Sequence, residues 1–121
     1  MQFPEGFVEK YEEILGDEAR DFLASFEEEA VSAFRVNPLK EAPVSFPDAI
    51  PQTSWGHYGK VSGKSSEHAT GLVYSQEPAA QMVAQVAQPS PGMKVLDLAA
   101  APGGKSTQLA AYLACLLYTS P

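Results

Sequence analysis

The chain has 121 residues, enough for one modest domain or for a small module plus the beginning of another. Hydrophobic residues make up 45% of it, with ten prolines and nine glycines, which excludes a disordered tail. The net charge is −7, yet residues 1–30 carry ten of the fifteen acids, leaving five acids against six bases in the remainder; that balance excludes a non-specific polyanion binder and still permits a local basic face.

No apolar run approaches the ~20 residues that span a bilayer, and the N-terminus lacks a basic start followed by an apolar stretch, so a cytosolic protein without a membrane partner is expected. A single cysteine, Cys115, excludes an intrachain disulfide and any cysteine-based metal site. His57 and His68 read as loop histidines without carboxylate or thiol companions at ligand spacing, so no metal is expected.

Along the chain, "PEGFVEKYEEILG" sets Phe7, Tyr11, Ile14 and Leu15 at helical spacing and stops at Gly16. "DEARDFLASFEEE" repeats the pattern, with Asp17 as its cap and Ala19, Phe22, Leu23 and Phe26 on one face. The acids of both helices form a solvated side or an acidic docking surface, the first being the simpler reading. "VSAFRVNP" reads as a strand ending at the Asn37-Pro38 turn signal.

Leu39 to Thr70 has no sustained period and carries Phe46, Trp55 and Tyr58 among Pro, Gly and Ser, which predicts a long loop region with short strands at most. "QEPAAQMVAQVAQ" resumes helical spacing, with Pro78 in the first turn and Ala79, Met82, Val83 and Val86 on a common face. After "PSPG" comes "KVLDLAA", a run of the buried parallel-strand type, and then the helix former "KSTQLAAYLA". Helix, break, strand, glycine bend and helix open a doubly wound α/β domain.

The bend is the informative stretch. A phosphate-cradling loop needs G-x-x-x-x-G-K-[ST]; Gly104-Lys105-Ser106 supplies the end, but Ala99 stands at the first glycine, and the second match at Gly63-Lys64-Ser65 has Tyr58 there. A G-x-G-x-x-G fingerprint is absent too. What remains is a strand ending in Asp97, small residues that let a ligand lie against the backbone, and a helix whose first N–H groups face the same crevice. Alternatively, the alanines and glycines only permit a tight strand-to-helix turn. Lys105 sits where the positive helix end disfavours a cation by about 0.3–1 kcal/mol, which suggests a ligand.

"VLDLAAAPGGKSTQLA" resembles the S-adenosylmethionine-binding motif of the Sun (Fmu, Nop) family of RNA cytosine-5 methyltransferases. "FRVNPLK", "HATGLVYSQEPAA" and the two acidic helices agree in order, so the chain resembles the bacterial RsmF-type ribosomal RNA enzymes up to about Ala114. The resemblance implies an α/β fold in which a helical and loop-rich RNA-binding module, 1–75, precedes the truncated start of a Rossmann-like class I methyltransferase domain, 76–114. It implies a cofactor site at Ala99, Ala100, Ala101, Pro102, Gly103, Gly104 and Lys105, holding S-adenosylmethionine by its carboxylate and ammonium ends. Asp97 either fixes the bend by accepting backbone N–H bonds or meets the ammonium through water.

Ribosomal RNA is the implied partner and a monomer the implied state. Arg35, Lys40, Lys60 and Lys64 are candidates for phosphate contacts, and Trp55 or Tyr58 for stacking on an unpaired base. The cysteine motifs that form the covalent bond to cytosine in such enzymes are not in this chain, so no catalytic residue is assigned, Cys115 included, and the chain alone is expected to be inactive. An acid for the ribose hydroxyls is also missing, since no Asp or Glu follows Asp97.

The tail Cys115–Pro121 translates TGT CTC TTA TAC ACA TCT CC, the end of a transposon-type sequencing adapter, and reads as non-native; the other reading is a helix end followed by a strand. A P-loop-like nucleotide-binding protein and an RNA-binding module without catalysis are the alternative functions.

Overall fold

The computed structural model describes residues 2–40 and 45–113, and the backbone alone of 118–119. Two compact units divide at Ala30 and Val31. In the first, α1 (Phe7–Leu15) runs through a 3-10 turn, Gly16–Glu18, into α2 (Ala19–Ser25). An aromatic cluster joins the helices: Phe7 to Tyr11 at 4.6 Å, Tyr11 to Phe22 at 4.7 Å, and Phe22 edge-on to Phe26 at 5.2 Å between ring centroids. Phe3 extends it by stacking on Phe7 at 5.0 Å.

The first unit departs from its sequence pattern at Ile14 and Asp17. Ile14 is 62% exposed and stands outside the cluster, because the aromatic rings fill the space between the helices. Asp17 does not cap α2; Glu18 holds that position in helical backbone geometry and makes no side-chain cap bond, since the 3-10 turn leads directly into the helix.

The second unit carries a three-stranded antiparallel sheet in the order β2, β1, β3, formed by β1 (Ala33–Val36), β2 (Gly56–Tyr58) and β3 (Val73–Ser75). Phe34 lies opposite His57 on one side and Ser75 on the other. Its ring joins Leu72 and Val73 in a buried core that Val36, Phe46 and Val61 cover. β1 starts two residues later than the predicted strand and ends where expected, because Asn37 turns the chain: its Oδ1 accepts from Leu39 N at 2.9 Å and its Nδ2 donates to Gly71 O at 3.0 Å.

The predicted loop contains β2 and the one-turn helix α3 (Ser66–Ala69), whose cap Ser65 accepts from His68 N at 3.2 Å. His57 is thus a strand residue with its ring stacked on Phe34 at 5.6 Å, and His68 is helical, so neither is a loop histidine.

α4 (Pro78–Ala87) begins with Pro78 at a first-turn position and a Glu77 carboxylate that accepts from Ala79 N and Ala80 N, both at 2.9 Å. Its buried side differs from the expected one: Gln81 and Ala84 are inside, while Val83 and Val86 are largely exposed. The cause is polar, since Gln81 Nε2 donates to Gln76 O at 3.0 Å and to Phe34 O at 3.4 Å. Gly56 permits this close approach, for a Cβ there would fall 2.4 Å from Gln81 Oε1.

The predicted strand "KVLDLAA" reduces to β4 (Leu96–Asp97), which pairs parallel with β5 (Tyr118–Thr119). Leu96 and Leu98 are exposed rather than buried, β4 having β5 as its single strand neighbour among the described residues. α5 (Gly104–Leu113) then packs on α4, where Gln108 Nε2 donates to Gln81 O at 2.8 Å. Cys115 and most of the tail lie outside the described residues; the described pair Tyr118–Thr119 is β5. Among the described residues no helix is long and apolar enough to cross a membrane.

Candidate functional site

The corner between β4 and α5 is built around one carboxylate. Asp97 Oδ1 accepts from Ala99 N at 2.9 Å, and Oδ2 accepts from Ser106 Oγ at 2.6 Å, so a single side chain ties the start of the loop to the first turn of α5. The Ser106 hydroxyl, then the Ala99 N–H, hold the Asp97 carboxyl below the usual carboxylate range; burial opposes them and Lys105 adds to them. Between these anchors Gly103 adopts φ +119°, a conformation that favours glycine, and its carbonyl accepts from Thr107 Oγ1 at 2.7 Å. The first-turn N–H groups of α5 have no intrahelical carbonyl to donate to.

β1 supports the corner from behind. Arg35 is 5% exposed; its Nη1 donates to Gln76 Oε1 and, at 2.9 Å, to Gly104 O, and its Nη2 donates to Thr107 Oγ1 at 2.7 Å. Its guanidinium lies 5.2 Å from the centre of the Tyr74 ring. Burial lowers the Arg35 pKa to about 10, with Tyr74 acting in the opposite sense. Gly104 fits because it lacks a side chain: a Cβ would meet Gln76 Nε2 at 3.2 Å.

A cavity of about 180 Å³ opens at this corner. Of the seven residues expected to bind a cofactor, Ala99, Ala100, Ala101, Pro102, Gly104 and Lys105 line it, and Gly103 shapes the bend without lining it. The opposite wall is Tyr74, Ser75, Gln76 and Ala80, which sequence reasoning did not assign to a site. Their signal was present in "VYSQEPAA", where Gln76 stands as a lone amide between a strand and a helix cap.

The cations expected to meet phosphate separate. Lys40, Lys60 and Lys64 are on the surface, with Lys40 Nζ donating to Thr70 O, whereas Arg35 is inside. Trp55 is half-buried with its ring 4.6 Å from that of Tyr112, and Tyr58 is 42% exposed.

The fold and corner define a mixed α/β chain with a small cavity where a strand feeds a helix. The model of the N-terminal domain of 16S rRNA methyltransferase RsmF matches residues 3–78, and the chain belongs to that family. It is 32% identical to ribosomal RNA small subunit methyltransferase F of Vibrio campbellii, covering 93% of this chain and 28% of the relative. It is 29% identical to probable ribosomal RNA small subunit methyltransferase B of Synechocystis, covering 89% of this chain and 28% of the relative. Among solved structures, a methyltransferase homolog protein from Pyrococcus horikoshii matches with TM-score 0.74 and 28% identity over 97% of this chain and 44% of that one. The chain spans about 28% of the length of the curated relatives named here.

Proposed function

We propose that this chain is the N-terminal part of an S-adenosylmethionine-dependent methyltransferase that modifies cytosine C5 in ribosomal RNA in the cytoplasm. In this reading an RNA-binding module extends to about residue 75, and a Rossmann-like domain opens with α4, β4 and α5. The family match over 3–78 and the names of the relatives support the RNA substrate. The observation that carries the cofactor reading is the Asp97 clamp, which fixes the small-residue loop against the start of α5 beside a cavity.

The residues fit one end of that cofactor. Its carboxylate matches the free N–H groups of the first turn, and Lys105 adds a positive charge at the rim. At about 180 Å³ the cavity is smaller than the roughly 300–1,000 Å³ of pockets that enclose a whole small ligand, so it seats the amino-acid end and leaves the nucleoside to residues further along a complete enzyme. When bound, the cofactor supplies an electrophilic methyl group. The part of this chain is to orient it: Asp97 holds the loop, Gly103 and Gly104 bring backbone within reach, and Gln76 and Tyr74 close the far wall. Lys40, Lys60 and Lys64 supply surface charge for the RNA backbone. The chain acts as a monomer and carries no catalytic residue of its own.

Isothermal titration of the chain with S-adenosylmethionine tests the reading. Weak, barely saturable binding is expected; affinity equal to that of an intact methyltransferase would contradict a half-formed seat, and magnesium-dependent ATP binding lost in Lys105→Ala would replace the reading by a nucleotide-binding one.

A further inference from the structure

A second and larger cavity, about 320 Å³, shares Tyr74 with the first and is at the low end of the range for small-ligand pockets. Its walls come from the two segments that the cofactor seat leaves mostly unexplained, "FRVNPLK" and "HATGLVY", together with the outer face of α5. Arg35, Asn37, His68, Gly71, Tyr74 and Thr107 line it.

The chemistry of the cavity is set by Arg35. A guanidinium has five N–H donors, and the bonds to Gln76, Gly104 and Thr107 occupy three, two on Nη1 and one on Nη2. The other two have no acceptor among the described residues, and no carboxylate there offsets the charge. A buried cation without a counter-ion costs free energy unless an anion completes it. A second cation is close by, outside the lining: Lys40 Nζ donates to Thr70 O and lies 3.5 Å from where a Cβ on the lining residue Gly71 would be. Beside them the Tyr74 and His68 rings lie 6.3 Å apart at an interplanar angle of 30°, a surface on which a planar base can stack.

We infer that this cavity receives one phosphorylated nucleotide of an unpaired RNA strand, its phosphate toward Arg35 and Lys40 and its base against Tyr74 and His68. The inference rests on the RNA reading above and deepens it, since that reading needs only exposed lysines. Tyr74 walls both cavities and Arg35 donates to Gly104 O, so a nucleotide here touches the same residues that back the cofactor seat.

Amide and side-chain NMR of the 121-residue chain, titrated with cytidine monophosphate, cytidine, inorganic phosphate and a single-stranded RNA tetranucleotide, tests it. Cytidine monophosphate and the tetranucleotide should shift the signals of Arg35 Nε–H, His68, Gly71 and Tyr74, with cytidine and phosphate alone binding at least roughly tenfold more weakly, because each lacks one half of the recognised pair. Arg35 variants threaten the fold, so His68→Ala and Lys40→Ala serve instead: His68→Ala should weaken the nucleotide by roughly fivefold or more through lost stacking. Lys40→Ala should weaken it by about threefold and flatten its salt dependence. Phosphate binding as tightly as the nucleotide overturns the inference. So does tetranucleotide binding that shifts only the Lys60 and Lys64 region, although the RNA reading then stands. If no RNA binds anywhere, both fall.

Discussion

The three-stranded sheet and the corner after β4 belong to one compact unit, yet different forces hold them. The apolar core of the sheet is Phe34 and Val73 with the adjoining Leu72, and stability there comes from apolar area removed from water. At the corner Asp97, Ser106 and Gln108 are buried, while the leucines flanking Asp97 face outward, Leu98 at 80% exposure. Hydrogen bonds fix its shape, and these are individually modest and strict about geometry. The contrast teaches that the sheet is a scaffold tolerant of chemistry but not of lost volume, whereas the corner tolerates little change in polar atoms or in backbone approach. Arg35 joins the two, with its backbone in β1 and its guanidinium on α5.

Truncating the sheet's core should produce the largest effect. Phe34→Ala removes a buried ring that also stacks on His57 and meets Phe46 edge-on, and an unfolding free energy lower by about 3–5 kcal/mol is expected in denaturant titration. A loss below about 1 kcal/mol would mean that the sheet is not held by apolar burial.

Gly104→Ala sharpens the comparison from the other side. The added methyl presses on Gln76 Nε2, whose own amide oxygen is engaged by Arg35, so the neighbour has little freedom to retreat. A destabilisation of about 1–3 kcal/mol is expected, accompanied by weaker S-adenosylmethionine binding, although alanine ordinarily favours a helix.

The smallest effect concerns pH. Asp97 is held below its ordinary pKa in the folded chain, so its stabilisation is present above the unfolded value of about 3.9 and disappears as pH falls through the folded value. Ser106→Ala removes the largest cause of that depression. Thermal unfolding should therefore separate the variant from the natural chain near neutral pH and bring them together in strong acid, below both carboxyl values. A gap that persists unchanged in acid would show that Ser106 acts by packing and not through Asp97.

How much of this could be read in the sequence follows from the range of the interactions. The helices at 7–15, 78–87 and 104–113, the turn at Asn37-Pro38 and the small-residue corner are encoded within a few residues, by spacing, caps and glycines. Arg35 was illegible as an interior residue, because its partners Gln76 and Thr107 stand 41 and 72 residues away, and an arginine in a short strand reads as surface charge. The inward side of α4 was missed for a related reason. Hydropathy assigns burial to Val83 and Val86, but Gln81 is drawn inside by carbonyls of Phe34 and Gln76 that no local pattern reveals. β2 and α3 were hidden in a stretch without periodicity, each too short to establish one.

The central claim is that the corner after β4 seats the amino-acid end of S-adenosylmethionine, and amide shifts recorded as the cofactor is added in large excess test it most directly. The account predicts graded shifts confined to Ala99–Lys105 and the facing Tyr74 and Gln76, and their loss in Asp97→Asn. Shifts elsewhere with the corner silent, or corner shifts unchanged in that variant, would contradict it.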